Sequence, residues 1–114
     1  MILRITDSSK EFGIGVHRIS LKEFANKIYH PMIATTNWEE VYIDVCEQTP
    51  SGYIHPLIKK GVKVIPVLVG SGTTVKEFKI LTEIFPNDIP KLRDCFLKDK
   101  SKLKELILIL VEGN

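Results

Sequence analysis

The sequence predicts one small α/β domain over residues 1–114, with a mixed, largely parallel sheet and helices packed on it. Three observations predict it. The runs Val41–Cys46 (VYIDVC) and Val62–Val69 (VKVIPVLV) are nearly continuous apolar stretches, the texture of strands buried in a parallel sheet. Capping boxes at Ser20–Glu23 (SLKE) and Thr74–Glu77 (TVKE) open helical periodicities before and after those runs. A composition of 44% hydrophobic and 26% charged residues belongs to a chain that buries a core rather than a disordered one. The predicted order is β-β-α-β-α-β-α, followed by one or two C-terminal helices.

Each element has its own signal. Ile2–Thr6 is a β-prone run closed by the turn-like Asp7, Ser8 and Ser9. Phe12–Ile19 (FGIGVHRI) alternates apolar with small or polar residues, as a half-buried strand does, so the two runs predict an opening β-hairpin. Gly13 and Gly15 mark a bulge or a close backbone approach within it. From the Ser20 cap, Leu21, Phe24, Ala25, Ile28 and Tyr29 fall on one helical face. His30 and Pro31 are expected to end that helix, because the residue before a proline is pushed away from helical angles.

Val41–Cys46 is the next strand, its apolar course broken only by Asp44. A helix over Ser51–Lys60 should stop at Gly61. Pro56 leaves it two solutions, a late start near His55 or a kink. Pro66 puts the Val62–Val69 strand at a sheet edge or in a bulge. The helix capped by Thr74 presents Val75, Phe78, Leu81, Thr82 and Phe85 on one side. After Pro86, Asn87 and Asp88, a short helix capped by Asp88 runs to Leu97 with Ile89, Leu92 and Phe96 inward. Leu103, Leu106, Ile107 and Leu110 fit a last helix capped by Ser101 and closed by Gly113. That reading is favoured over the strand LILILV would also suit. No repeat, low-complexity stretch or linker interrupts the chain.

Charge and cysteine usage narrow the function classes. A net charge of +2 is far from the basic excess of a domain that wraps duplex nucleic acid. The one local excess, Lys98, Lys100, Lys102 and Lys104, reads as a solvated helix start, and weak nucleic-acid binding through it is the third-ranked function. Cys46 and Cys95 sit far apart in apolar surroundings and are expected to be buried, reduced thiols. They form no metal-ligand spacing with His17, His30 or His55, so no metal or cofactor is expected. The N-terminal segment lacks the layout of a signal peptide, and the apolar run Leu106–Val111 is too short to span a bilayer. The expectation is a cytoplasmic protein with no membrane association.

The most suggestive stretch is VIPVLV-GSG-TTVKEF. A buried strand there delivers a small-residue loop to a helix N-terminus, where free N–H groups and the helix dipole favour an anion. Gly70 and Gly72 would let a phosphate approach the backbone, and Ser71, Thr73 and Thr74 supply hydroxyls. The loop is neither a Walker A motif nor GxGxxG. Asp44 and Glu47 lie at the C-terminal end of their strand, the edge where open α/β sheets place ligands, and share it with the Gly70–Thr74 loop. A carboxylate beside a phosphate loop could hold a metal or act as a base. Ser51, His55 and Asp44 carry the residue types of a nucleophilic triad without its spacing or a G-x-S-x-G elbow. Trp38 is expected to cover the core or, alternatively, to anchor a partner.

Over residues 20–85 the pieces SLKEFANKI, VYIDV, SGYIHPLIKKG, VKVIPVLVG and TVKEFKILTEIF follow in the order helix, strand, Ser-Gly helix start, strand, helix. In that order and texture the chain resembles the STAS or STAS-like domains, the fold of anti-sigma-factor antagonists. The resemblance implies a non-catalytic regulatory or interaction domain that docks a protein partner or itself as a homo-oligomer. It also makes Ser51 similar in position to the serine that a partner kinase phosphorylates in many members. A rhodanese-like reading of the same order lacks its cysteine at Val69 and the loop after it. The alternative function is a small phosphate- or nucleotide-binding domain, with or without an enzymatic activity, built on Gly70–Thr74.

Overall fold

A computed structural model describes residues 1–70 and 72–113. Four strands make one sheet: β1 (Ile2–Ile5), β2 (Val16–Ile19), β3 (Glu40–Val45) and β4 (Lys63–Leu68). Their order is β2-β1-β3-β4, and every neighbouring pair runs parallel. The α/β domain with a largely parallel sheet and packed helices is as the sequence predicts, but the sheet is parallel throughout rather than mixed.

The opening hairpin is corrected to a parallel pair, with Ile2 opposite Val16 and Ile5 opposite Ile19. Residues 6–15 are therefore a helix-free crossover. The Ser8 N–H donates to Thr6 Oγ1 at the top of β1, and the Val16 N–H donates to the Gly13 carbonyl at the foot of β2. Two separate turns thus replace the single reversal a hairpin needs, and Gly15 enters β2 at φ +85°.

Strand alternation sorts the side chains into two faces. Leu3, Ile5, Val41, Ile43, Val45, Val64 and Pro66 are buried on one. Arg4, Tyr42 and Ile65, neighbours across the sheet, lie half-buried on the other. The buried face joins a core completed by residues such as Phe24, Leu57, Leu81, Leu92 and Leu103.

The first helical segment is two helices, α1 (Leu21–Phe24) and α2 (Tyr29–Thr35). The Ser20 capping box forms as predicted. The Asn26 side chain then accepts the Ile28 N–H at 2.8 Å, a local turn that interrupts the helix. Pro31 sits in the first turn of α2, where its missing N–H has no intrahelical partner to lose, so it opens a helix instead of closing one. As a result Ile28 is 75% exposed and belongs to no buried helical face.

α3 (His55–Lys60) takes the late-start solution, with Pro56 at its beginning. Gly61 ends it at φ +86°, a left-handed cap that favours glycine. α4 (Val75–Ile84) carries the second capping box, but its buried face is Glu77, Ile80, Leu81 and Ile84, and Val75 is exposed. α5 (Ile89–Lys98) starts behind Asp88, whose side chain makes no cap hydrogen bond. A 3₁₀ turn (Lys100–Lys102) leads into α6 (Leu103–Glu112), so the tail is helical. The cap of that turn is Asp99, which accepts the Ser101 N–H; Ser101 itself is not the cap. β4 lies at the sheet edge, which accommodates Pro66. No described helix is long and apolar enough to cross a membrane.

Candidate functional site

The chain leaves β1 toward one side of the sheet and continues from β3 to the other. The C-terminal ends of β1 and β3 are therefore the topological switch point, where open α/β sheets carry their ligands. Arg4, Thr6 and Asp44 meet there. Arg4 Nη2 lies 2.5 Å from Asp44 Oδ1, and Thr6 Oγ1 donates to Asp44 Oδ2 at 2.5 Å. Asp44 is only 8% exposed. The Thr49 hydroxyl also donates to the Asp44 carbonyl at 2.7 Å, and Arg4 lies over the Phe12 ring. Both carboxylate oxygens of Asp44 are engaged, so the residue clamps β1 to β3.

Glu47 is exposed, and its carbonyl accepts from Lys76 Nζ. The exit of β3 and the start of α4 therefore come together, as the shared edge predicts. Ser51 is exposed, and the Gly52 N–H beside it donates to both Glu83 carboxylate oxygens at 3.1 Å. Gly70 and Gly72 are exposed, and a Cβ built on Gly72 meets nothing within 4 Å. Thr73 is buried, and Thr74 accepts the Glu77 N–H in the capping box. Ser71 lies outside the described residues. The Glu77 carboxylate, 6% exposed, accepts the Thr74 N–H at 2.8 Å. A negative charge thus already sits on the positive end of α4.

The other expected features are dispersed. Among the described residues no three His, Cys, Asp or Glu side chains gather in a way that could hold a metal. Both cysteines are free, and both are half-buried rather than buried as expected. Burial pushes the Cys95 thiol up, and the Asp99 and Asp94 carboxylates push it further. That thiol is consequently a poor nucleophile at neutral pH. Lys98 pairs with Asp94 at 2.9 Å and Lys100 lies 4.5 Å over Phe96, so two of the four clustered lysines are engaged within the chain. Burial also raises the Tyr42 phenol, with the nearby Glu40 carboxylate adding to it.

Sequence reasoning missed two things. Arg4 and Thr6, the partners of Asp44, carried a readable signal, since Arg4 is the lone charge in the ILRI run as Asp44 is in VYIDV. The second is an apolar groove of about 290 Å³ between β2 and α2. His17 and Ile19 form one wall, Tyr29 and Met32 the other, and Trp38 and Met1 complete it. Trp38 donates its indole N–H to the Ile33 carbonyl at 3.0 Å and meets the His17 ring edge-on at 5.7 Å. Met32 is 63% exposed. A second cavity of similar volume lies between the end of α3, the start of β4 and the end of α4. Among the described residues, neither cavity includes one of 44–51 or 70–74.

Fold and site together define a small parallel α/β domain with a clamped switch point and an apolar groove at one sheet edge. No protein-family model matches this chain. No curated protein and no solved structure matches it either.

Proposed function

We propose that this chain is a non-catalytic regulatory or protein-interaction domain of STAS-like architecture. The observation that carries the reading is the groove between β2 and α2, an apolar surface with Tyr29 and Met32 held in water. Apolar surface gathered into a groove is a common feature of interaction sites. The polar edge supports the same reading. Asp44 is occupied by Arg4 and Thr6, and an anion approaching α4 would meet the Glu77 carboxylate. Packing of α3 beside β4 is what the STAS-like order requires. The free thiols of Cys46 and Cys95 support a cytoplasmic setting.

Ser51 is the regulatory candidate. It is exposed, and a phosphate there would bring close to two negative charges beside the Glu83 carboxylate that holds Gly52. Release of that contact would alter the surface formed by the exit of β3 and α4.

The competing phosphate-site reading supplies the test. Thermal-shift measurements with purine nucleotides, cyclic dinucleotides and inorganic phosphate are expected to leave the melting temperature unchanged. A Cβ at Gly72 meets nothing within 4 Å, so Gly72→Val, with its fold checked by circular dichroism, separates ligand loss from misfolding. A ligand-induced rise that disappears in Gly72→Val would overturn the interaction-domain reading.

A further inference from the structure

We infer that the cavity at the ends of α3, α4 and α6 binds a small organic ammonium, a protonated amine on a short apolar body. The cavity holds about 290 Å³, and Val64, Ile84 and Phe85 form its buried walls. Val111 of α6 and Asp88, at the start of α5, complete it. It lies at the β4 edge of the sheet, away from the groove beside β2, and stands apart from the interaction reading above.

The helix ends supply the first part of the electrostatics. The last carbonyls of a helix have no intrahelical donor and form its negative pole. A basic side chain in the last turn or a left-handed glycine cap commonly answers that pole. α3 has both, in Lys59, Lys60 and Gly61. α4 and α6 have neither. No basic residue stands in the last turn of either, and their caps, Phe85 and Gly113, lie at φ −120° and −77°. Pro86 follows the α4 cap and has no N–H to offer. The Asp88 N–H goes to the Phe85 carbonyl, and among the described residues no donor is bonded to the Ile84 carbonyl. Ile84 and Val111 belong to those two last turns, so both uncapped poles border one cavity.

Asp88 adds a full negative charge. Its side chain is 22% exposed, makes no cap hydrogen bond to α5, and has the exposed Lys91 ammonium at 3.9 Å. Lys91 does not line the cavity. Lys63 does, but its ammonium stands 3.8 Å from the Glu40 carboxylate, and Lys60 reaches away to the Thr36 carbonyl. An anion would meet the carbonyl poles and Asp88. A metal ion would leave the apolar walls in water, and among the described residues no metal-ligating cluster exists. An ammonium on an apolar stem satisfies poles, carboxylate and walls together. A free amine and the lysine side chain of a partner share that chemistry.

The probes are 2-phenylethylamine, the matching neutral 2-phenylethanol and the anion 3-phenylpropionate, at constant ionic strength. Amide chemical shifts read the outcome. The amine is expected to shift Val62, Val64 and Asp88 saturably, at least about tenfold more tightly than the alcohol, while the anion does not saturate. Asp88→Asn loses no cap bond and should weaken the amine about tenfold with the alcohol unchanged. Asn87→Lys, at an exposed position, gives the poles a resident ammonium. It should abolish amine binding and raise the melting temperature. A capped Gly-Lys-Gly tripeptide is titrated alongside, and saturation by either supports the site, the tighter of the two naming the source.

Failure of both amine and tripeptide to saturate below about 1 mM would overturn the inference. Equal binding of amine and alcohol would also do so, since it marks an apolar hollow without charge selection. So would amine binding that neither Asp88→Asn nor Asn87→Lys alters, or saturable shifts confined to residues outside the cavity.

Discussion

Arg4 and Asp44 are opposite charges on adjacent strands, with 14% and 11% of their side chains exposed. Desolvation at such burial is compensated only while both partners are present. Arg4→Met leaves Asp44 with Thr6 alone, and the chain is expected to lose about 3 kcal/mol of stability in urea denaturation. Combining it with Asp44→Leu should recover most of that loss. If Arg4→Met unfolds at the unchanged urea midpoint, the pair is not a clamp. The same burial explains why Asp44, a reasonable base candidate in sequence, makes a poor one. Its oxygens point to protein donors, and nothing in the residue type reveals that.

At the scale of elements, what could be read was local chemistry. The two capping boxes and the Gly61 stop each depend on residues within a few positions and appear as expected, and Pro56 takes the late start of the two solutions it left open. Thr74→Ala removes one half of the α4 box and is expected to cost about 1 kcal/mol, measured as a shift in the urea midpoint at constant slope. The sequence misled wherever partners are distant. Pro31 reads as a stop until the Asn26 turn shows that a new helix begins just before it. The first two strands read as a hairpin because alternation says nothing about direction. The groove was invisible for the same reason. Its residues come from β2, α2 and the approach to β3, and share no period.

Across the whole molecule, the loop after β3 is tied to α4 at two points, Glu47 to Lys76 and Gly52 to Glu83. A charge change at Ser51 should therefore be felt along α4. Ser51→Glu places a second carboxylate beside Glu83 and is expected to speed amide exchange at Gly52 by about tenfold, with the core of β3 unaffected. Unchanged exchange at Gly52 would remove Ser51 as a control point for this edge.

The strand order has a kinetic corollary. β1 is first in the chain yet central in the sheet, flanked by β2 and β3. Its partner across the middle begins with Glu40 opposite Ile2, so the central pairing closes only after the intervening chain has been ordered. Folding of this domain thus waits on a long-range encounter rather than a local hairpin, and rates fall as such separations grow. Until β3 arrives, Leu3 and Ile5 have no completed core to enter, and the nascent ILRI segment is the stretch most exposed to mispairing.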